Sequence, residues 1–282
     1  MGALLALLAS VSWGSGDFLG GTLSRRIHPV AILQTSQGLA VVGLAVVAVA
    51  TGSLGASGYL WWGVLGGVMG VVALSCFYTA LAEGTMGVIA PVAATGVIVP
   101  VGVGLLQGES PGLAQLVGIV VTVAGVVLAS GPERGPGGER TARNRRPLIL
   151  AGIAALGFGG TLAIVAEGAK HSVIMTLLTM RVVNVVIGTV FLLTAGRHVT
   201  RPTRQDLPIL AVAGASDAGA NGLYAIATHT ALISVSSVLA SLYPAVTALL
   251  AWRFHHERLR RVQVIGVVAT LAGVAMIAAG GG

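Results

Sequence analysis

The chain has 282 residues, of which 55% are hydrophobic and only 9% charged, with a mean hydropathy of +0.92 and a formal net charge of +7. A soluble domain carries about 25% charged residues, so this composition excludes water as the main solvent. It also argues against a nucleic-acid partner, because the basic residues sit in short breaks between apolar runs and not along one aromatic-interleaved surface.

A helix needs roughly 20 apolar residues to cross the ~30 Å hydrocarbon core. On that ruler the chain predicts ten spans, near residues 3–23, 29–50, 58–82, 86–107, 112–131, 148–168, 171–195, 207–229, 233–254 and 261–280. Span one lacks a basic N-terminal residue, carries Asp17 and ends in Ser24-Arg25-Arg26, so it reads as a retained helix and not as a cleaved signal. Span three holds Gly63/Gly67 and Gly66/Gly70, small-residue pairs that let neighbouring helices approach closely. Its lone Cys76 can form no internal disulfide and reads as core filler. Span four contains Pro91 and Pro100, span nine Pro244. Each proline removes a helix hydrogen bond, so each is a candidate hinge.

Between spans five and six lies the polar stretch 131–147 (GPERGPGGERTARNRRP), with the composition of a solvated linker. The expected organisation is a first five-helix repeat over 1–131, a basic linker over 132–147, and a second repeat over 148–282. At a constant offset of 148, Glu109 matches Glu257, Gln115 matches Gln263, Gly118 matches Gly266, Thr122 matches Thr270 and Gly125 matches Gly273. Tyr78 pairs with Tyr224, and Trp13-Gly14 with Phe158-Gly159, at similar offsets. Five is odd, so the repeats are inverted, an arrangement that places binding sites near the midplane. The fold class expected is an all-α integral membrane protein. Fourteen of the sixteen Lys and Arg residues follow odd-numbered spans, which predicts those loops in the cytoplasm and both termini outside.

Trp13-Gly14-Ser15, the Pro244…Glu257 segment leading into Gln263…Gly266, and the five-plus-five repeat resemble the drug/metabolite transporter superfamily, EamA type. The resemblance implies a bacterial plasma-membrane protein that moves small metabolites, amino acids or drugs, mostly outward. It also implies a central cavity between spans one, three, four, six, eight and nine. Gly118/Gly125 and Gly266/Gly273 are similar to the packing motif in the last helix of small multidrug resistance transporters. There the motif joins two chains; here it is expected to join two halves, so that a monomer suffices.

An ionisable group held in hydrocarbon is costly, and each one is a candidate for function. Asp17, Arg181 and Asp217 qualify by depth. One arginine can neutralise one acid, which leaves a negative charge that needs a proton, a cation or a cationic substrate group. Asp17 lies one turn after Trp13, placing a carboxylate beside an aromatic face. Asp217, Asn221, Tyr224 and Thr228 form a polar stripe on span eight; Ser75 and Tyr78 form a weaker counterpart on span three. Asn184, one turn from Arg181, makes a carboxylate clamp conceivable beside the structural alternative. Thr95, Phe158 and Tyr243 complete the expected substrate-contacting set.

No enzyme motif is present, and the adjacent His255-His256-Glu257 point in different directions on a helix, so neither catalysis, a cofactor nor a metal site is expected. The reading favoured by the sequence is a secondary-active exporter of a small amino-acid-like metabolite working by alternating access, with proton exchange at Asp17 or Asp217 as the available coupling step. Efflux of lipophilic or quaternary cations, and a non-transporting scaffold or sensor, stand as alternatives.

Overall fold

In a bilayer core every backbone N–H and C=O must be satisfied within the protein, which restricts spanning segments to helices or closed barrels. A computed structural model resolves that choice as helix throughout. It describes residues 1–83, 89, 92–108, 110–129, 146–194, 200–255 and 261–279, and none of these forms a strand. Pro91, Glu109, His256 and Glu257 lie outside the described residues.

The helices run in the predicted order: α1 (Gly2–Ser24), α2 (Pro29–Ala50), α3 (Leu60–Glu83), α4 (Ile98–Leu106), α5 (Leu113–Ala129), α6 (Arg146–Ala169), α7 (Val173–Thr194), α8 (Leu207–Thr230), α9 (Ile233–Ala240), α10 (Tyr243–His255) and α11 (Arg261–Ala279). By length and composition α1, α2, α3, α6 and α7 are each long and apolar enough to cross a membrane. Helix α6 begins at Arg146, inside the stretch that composition assigns to the linker. Span nine is two helices, interrupted at Ser241-Leu242, with Pro244 in the first turn of α10. Span four passes through a 3₁₀ turn at Thr95–Val97 into α4, whose first turn holds Pro100. Pro suits a first turn because the N–H it lacks has no intrahelical partner there.

Packing follows the inverted repeat. Helix α1 lies along α8, and its repeat counterpart α6 lies along α3; α2 pairs with α7, and α5 with α11. Glycines set how near these helices come. A Cβ on Gly14 would sit 2.6 Å from the Tyr243 carbonyl oxygen and 2.5 Å from the Val246 Cβ. At the equivalent place in the other repeat, a Cβ on Gly159 would overlap the Gly96 carbonyl oxygen. Gly63 and Gly67 bring α3 onto α7 at Thr179 and Val183, and Gly273 lies against Thr122 and the Gly118 carbonyl of α5. The last contact joins the two halves in the manner expected of the glycines spaced seven apart.

Each antiparallel pair is tied at the end where α1 leaves the bundle. Arg26 pairs with Asp206 across α1 and α8, and Arg146 meets Glu83 at 3.0 Å across α6 and α3. Asp206 also accepts from the Thr203 backbone N–H (2.8 Å) and hydroxyl (2.7 Å) in a capping box just ahead of α8. The Thr203 bonds, then the Arg26 guanidinium, hold the Asp206 carboxyl down to about 2. At the opposite end the corresponding contacts among the described residues are close approaches at glycine: Gly58 against His171, and Gly2 against Ala231.

Two predictions follow from these contacts. Gly159→Val must push a backbone carbonyl aside, at a cost of about 1–3 kcal/mol, and should lower the melting temperature in detergent. Gly43→Val, where a Cβ meets nothing within 4 Å, should leave it unchanged. For Asp206, a depressed folded-state pKa contributes stability that is complete above its ordinary value of 3.8 and is lost as pH falls through about 2. The melting-temperature gap between wild type and Asp206→Asn should therefore be constant from neutral pH to about 5 and close on further acidification.

Candidate functional site

A cavity opens at the centre of the bundle, where two apolar clusters meet. Leu74, Ala93, Phe158 and Tyr243 belong to one cluster; Trp13, Leu162, Met180 and Ala240 belong to the other. The volume of the cavity is about 70 Å³, enough to admit water.

The two helix pairs furnish unlike walls. From α1 and α8 come Trp13, Asp17, Asp217 and Asn221; from α3 and α6 come Gly70, Leu74, Phe158, Gly159, Thr161 and Leu162. One side is charged and the other almost wholly apolar. Ser241 and Tyr243, at the break in span nine, and Ala93, Ala94 and Val97, beside the 3₁₀ turn in span four, close the remaining sides with Met180 and Arg181 of α7. The helix breaks thus fall at the cavity.

Arg181 is 2% exposed, and its Nη2 lies 3.1 Å from Asp217 Oδ2. Asp217 is bound on every side: Trp13 Nε1 donates to Oδ1 at 3.1 Å, Gln37 Nε2 to Oδ2 at 2.9 Å, and Asn221 Nδ2 to Oδ1 at 3.1 Å. Four helices, α1, α2, α7 and α8, therefore converge on this one carboxylate. Asp17 is different. It faces the same cavity, and among the described residues it makes neither a hydrogen bond nor an ion pair. The site thus has two acids and one base, and one of the acids, Asp17, has no partner among the described residues. Arg181 Nε, Arg181 Nη2, which meets Asp217 as an ion pair and not as a hydrogen bond, and the Tyr243 hydroxyl are also buried with no hydrogen-bond partner among the described residues, so polar valence remains unfilled.

Of the residues expected to contact substrate, the cavity gathers Trp13, Asp17, Phe158, Asp217, Asn221 and Tyr243, together with Arg181. Ser75, Tyr78, Thr95 and Tyr224 stand off its wall. The Tyr224 hydroxyl lies 2.8 Å from Ser237 Oγ, and its ring packs 6.1 Å from that of Trp13. Tyr78 is buried against Gly20, Ser75 gives its carbonyl to Thr79, and the exposed Thr95 donates to the Val92 carbonyl. The stripe on α8 is therefore split, and only its first two members reach the cavity. The Asn184 amide is satisfied when its nitrogen is assigned to the side facing α3, where it donates to the Gly67 carbonyl at 2.7 Å, a tie between helices and not a clamp. Gln37 carries no charge to mark it: it ends the uncharged polar run Gln34-Thr35-Ser36-Gln37 of span two, and which of these four reaches the site shows only when α2 is laid against α8.

Comparison with known proteins places these features. A family model described as the EamA-like transporter family matches residues 1–131 and 145–279. A solved crystal structure is similar at a TM-score of 0.79 and 17% identity, covering 98% of this chain and 95% of that one, which shows the shared fold. No curated protein matches the chain.

The pairing of Arg181 with Asp217 yields a test. Removing one partner of a buried pair costs about 3–5 kcal/mol, because the other charge is left uncompensated. Arg181→Met should therefore lower thermal stability markedly, while Arg181→Met with Asp217→Asn should lose less than Arg181→Met alone. Additive losses in that double-mutant cycle would show that the two side chains are not coupled.

Proposed function

Since the chain belongs to the EamA-like transporter family, a family of membrane transporters, we propose that it carries a small amino-acid-like metabolite outward by alternating access at the central cavity. The observation that carries this reading is Asp17, without a partner among the described residues, beside an Arg181–Asp217 ion pair. A carboxyl group of this kind in a low-dielectric site calls for a proton or a compensating cation, and it leaves hydrogen-bonding capacity for the polar head of a substrate. Across the cavity, Leu74, Phe158 and Leu162 offer an apolar wall to a short side chain. The interruptions of spans four and nine at this level supply hinge positions, with Pro100 and Pro244 just beyond them. The setting is a bacterial plasma membrane with both termini outside, a reading that the charge bias supports.

Efflux of lipophilic cations draws on the same surplus charge. It is favoured less by size, because a space of about 70 Å³ must widen greatly to take a large aromatic cation.

The deciding measurement is uptake of labelled alanine and valine into vesicles reconstituted with the full chain. Asp17→Leu, similar in size but without a hydrogen-bonding group, should cut the initial rate by about tenfold or more, the loss of roughly 1.4 kcal/mol of hydrogen bonding to the charged substrate. Equal rates in wild type and variant would remove Asp17 from the mechanism. Protection against quaternary amines with no amino-acid flux would favour the drug-efflux reading instead.

A further inference from the structure

The charges around the cavity carry a rule about protons, one that rests on the cavity being the transport site. Asp17 on α1 is faced by Asp217 from α8 and Arg181 from α7. Tyr243 of α10 lines the same cavity and Tyr78 of α3 lies against α1 at Gly20; these are the other titratable side chains near Asp17 among the described residues, and Gln37 on α2 is neutral. Arg181 keeps its charge, as guanidinium does in proteins. Asp217 is already compensated, because Trp13, Gln37 and Asn221 all donate to it and Arg181 lies against it. Asp17 alone is left to change charge.

An uncompensated ion in such a site costs several kcal/mol, so the favoured states are those with no net charge. The fixed pair of Asp217 and Arg181 sums to zero. When empty, the site is neutral with one proton on Asp17. When it holds a monocation, it is neutral only after that proton has left. When it holds a zwitterion, whose own charges cancel, it is neutral with the proton still in place. We infer that the net charge of the substrate decides proton movement: a monocation displaces one proton from Asp17, and a zwitterion of the same size displaces none. In the first case the Asp17 O–H bond breaks, the proton passes to water at the cavity mouth, and the carboxylate pairs with the incoming ammonium. Nothing is oxidised or reduced. Amines then exchange for protons, and amino acids are carried without them.

Valine and isobutylamine share a branched carbon chain and an ammonium group and differ by the carboxylate. Neither titrates appreciably from about pH 5 to 8. Each is added to the purified full-length protein in weakly buffered detergent, with binding followed by calorimetry and proton release by an indicator dye. Isobutylamine should release about one proton per molecule bound at the acidic end of that range, and valine none. Asp17→Asn should abolish the release, and Asp17→Glu should keep it. The wild-type comparison decides the matter even if a variant fails to fold. Equal release by the two ligands, or isobutylamine binding with no release at any pH in the range, overturns the rule alone. Binding of neither ligand overturns the rule and the substrate reading together.

Discussion

The arrangement of this protein depends on one buried ion pair, Arg181 with Asp217. A guanidinium that is 2% exposed inside an apolar bundle is tolerable only where a carboxylate meets it, and that carboxylate must in turn be held. Trp13 and Gln37 hold it from α1 and α2, and Asn221 from α8 itself. The pair thus fixes the relative positions of four helices, and it also closes one question of charge. Since Asp217 is spoken for, Asp17 is the acid of the site left without a partner among the described residues.

The second constraint is the inverted repeat, which the sequence then breaks. Packing obeys the symmetry closely: α1 with α8 corresponds to α6 with α3, and Gly14 against Tyr243 corresponds to Gly159 against Gly96. Chemistry does not obey it. The position of Trp13 is Phe158 in the other half, and no acid on α3 or α6 lines the cavity. Two structurally equivalent walls therefore became a charged face and an apolar face.

A similar division appears at the ends of the helix pairs. At one end ion pairs hold α1 to α8 and α6 to α3; at the other, glycines let the chains touch. Charged ties belong where water and headgroups can solvate exposed Arg26 and Arg146. Close glycine contacts need no solvent at all.

The sequence by itself determined the helical class, the ten spans and the inversion, because hydropathy averaged over a span length and a constant repeat offset are both properties of order along the chain. It also determined that Asp17, Arg181 and Asp217 matter, because a charge in an apolar run stands out whatever surrounds it. Only the tertiary structure decided which acid Arg181 neutralises, that Gln37 belongs to the site, and that Tyr78, Tyr224, Ser75 and Thr95 stand off the cavity wall. Helical periodicity fixes the angle at which a side chain leaves its own helix. It carries no information about which neighbour lies at that angle or how near, and here that distance was set by glycines on other helices.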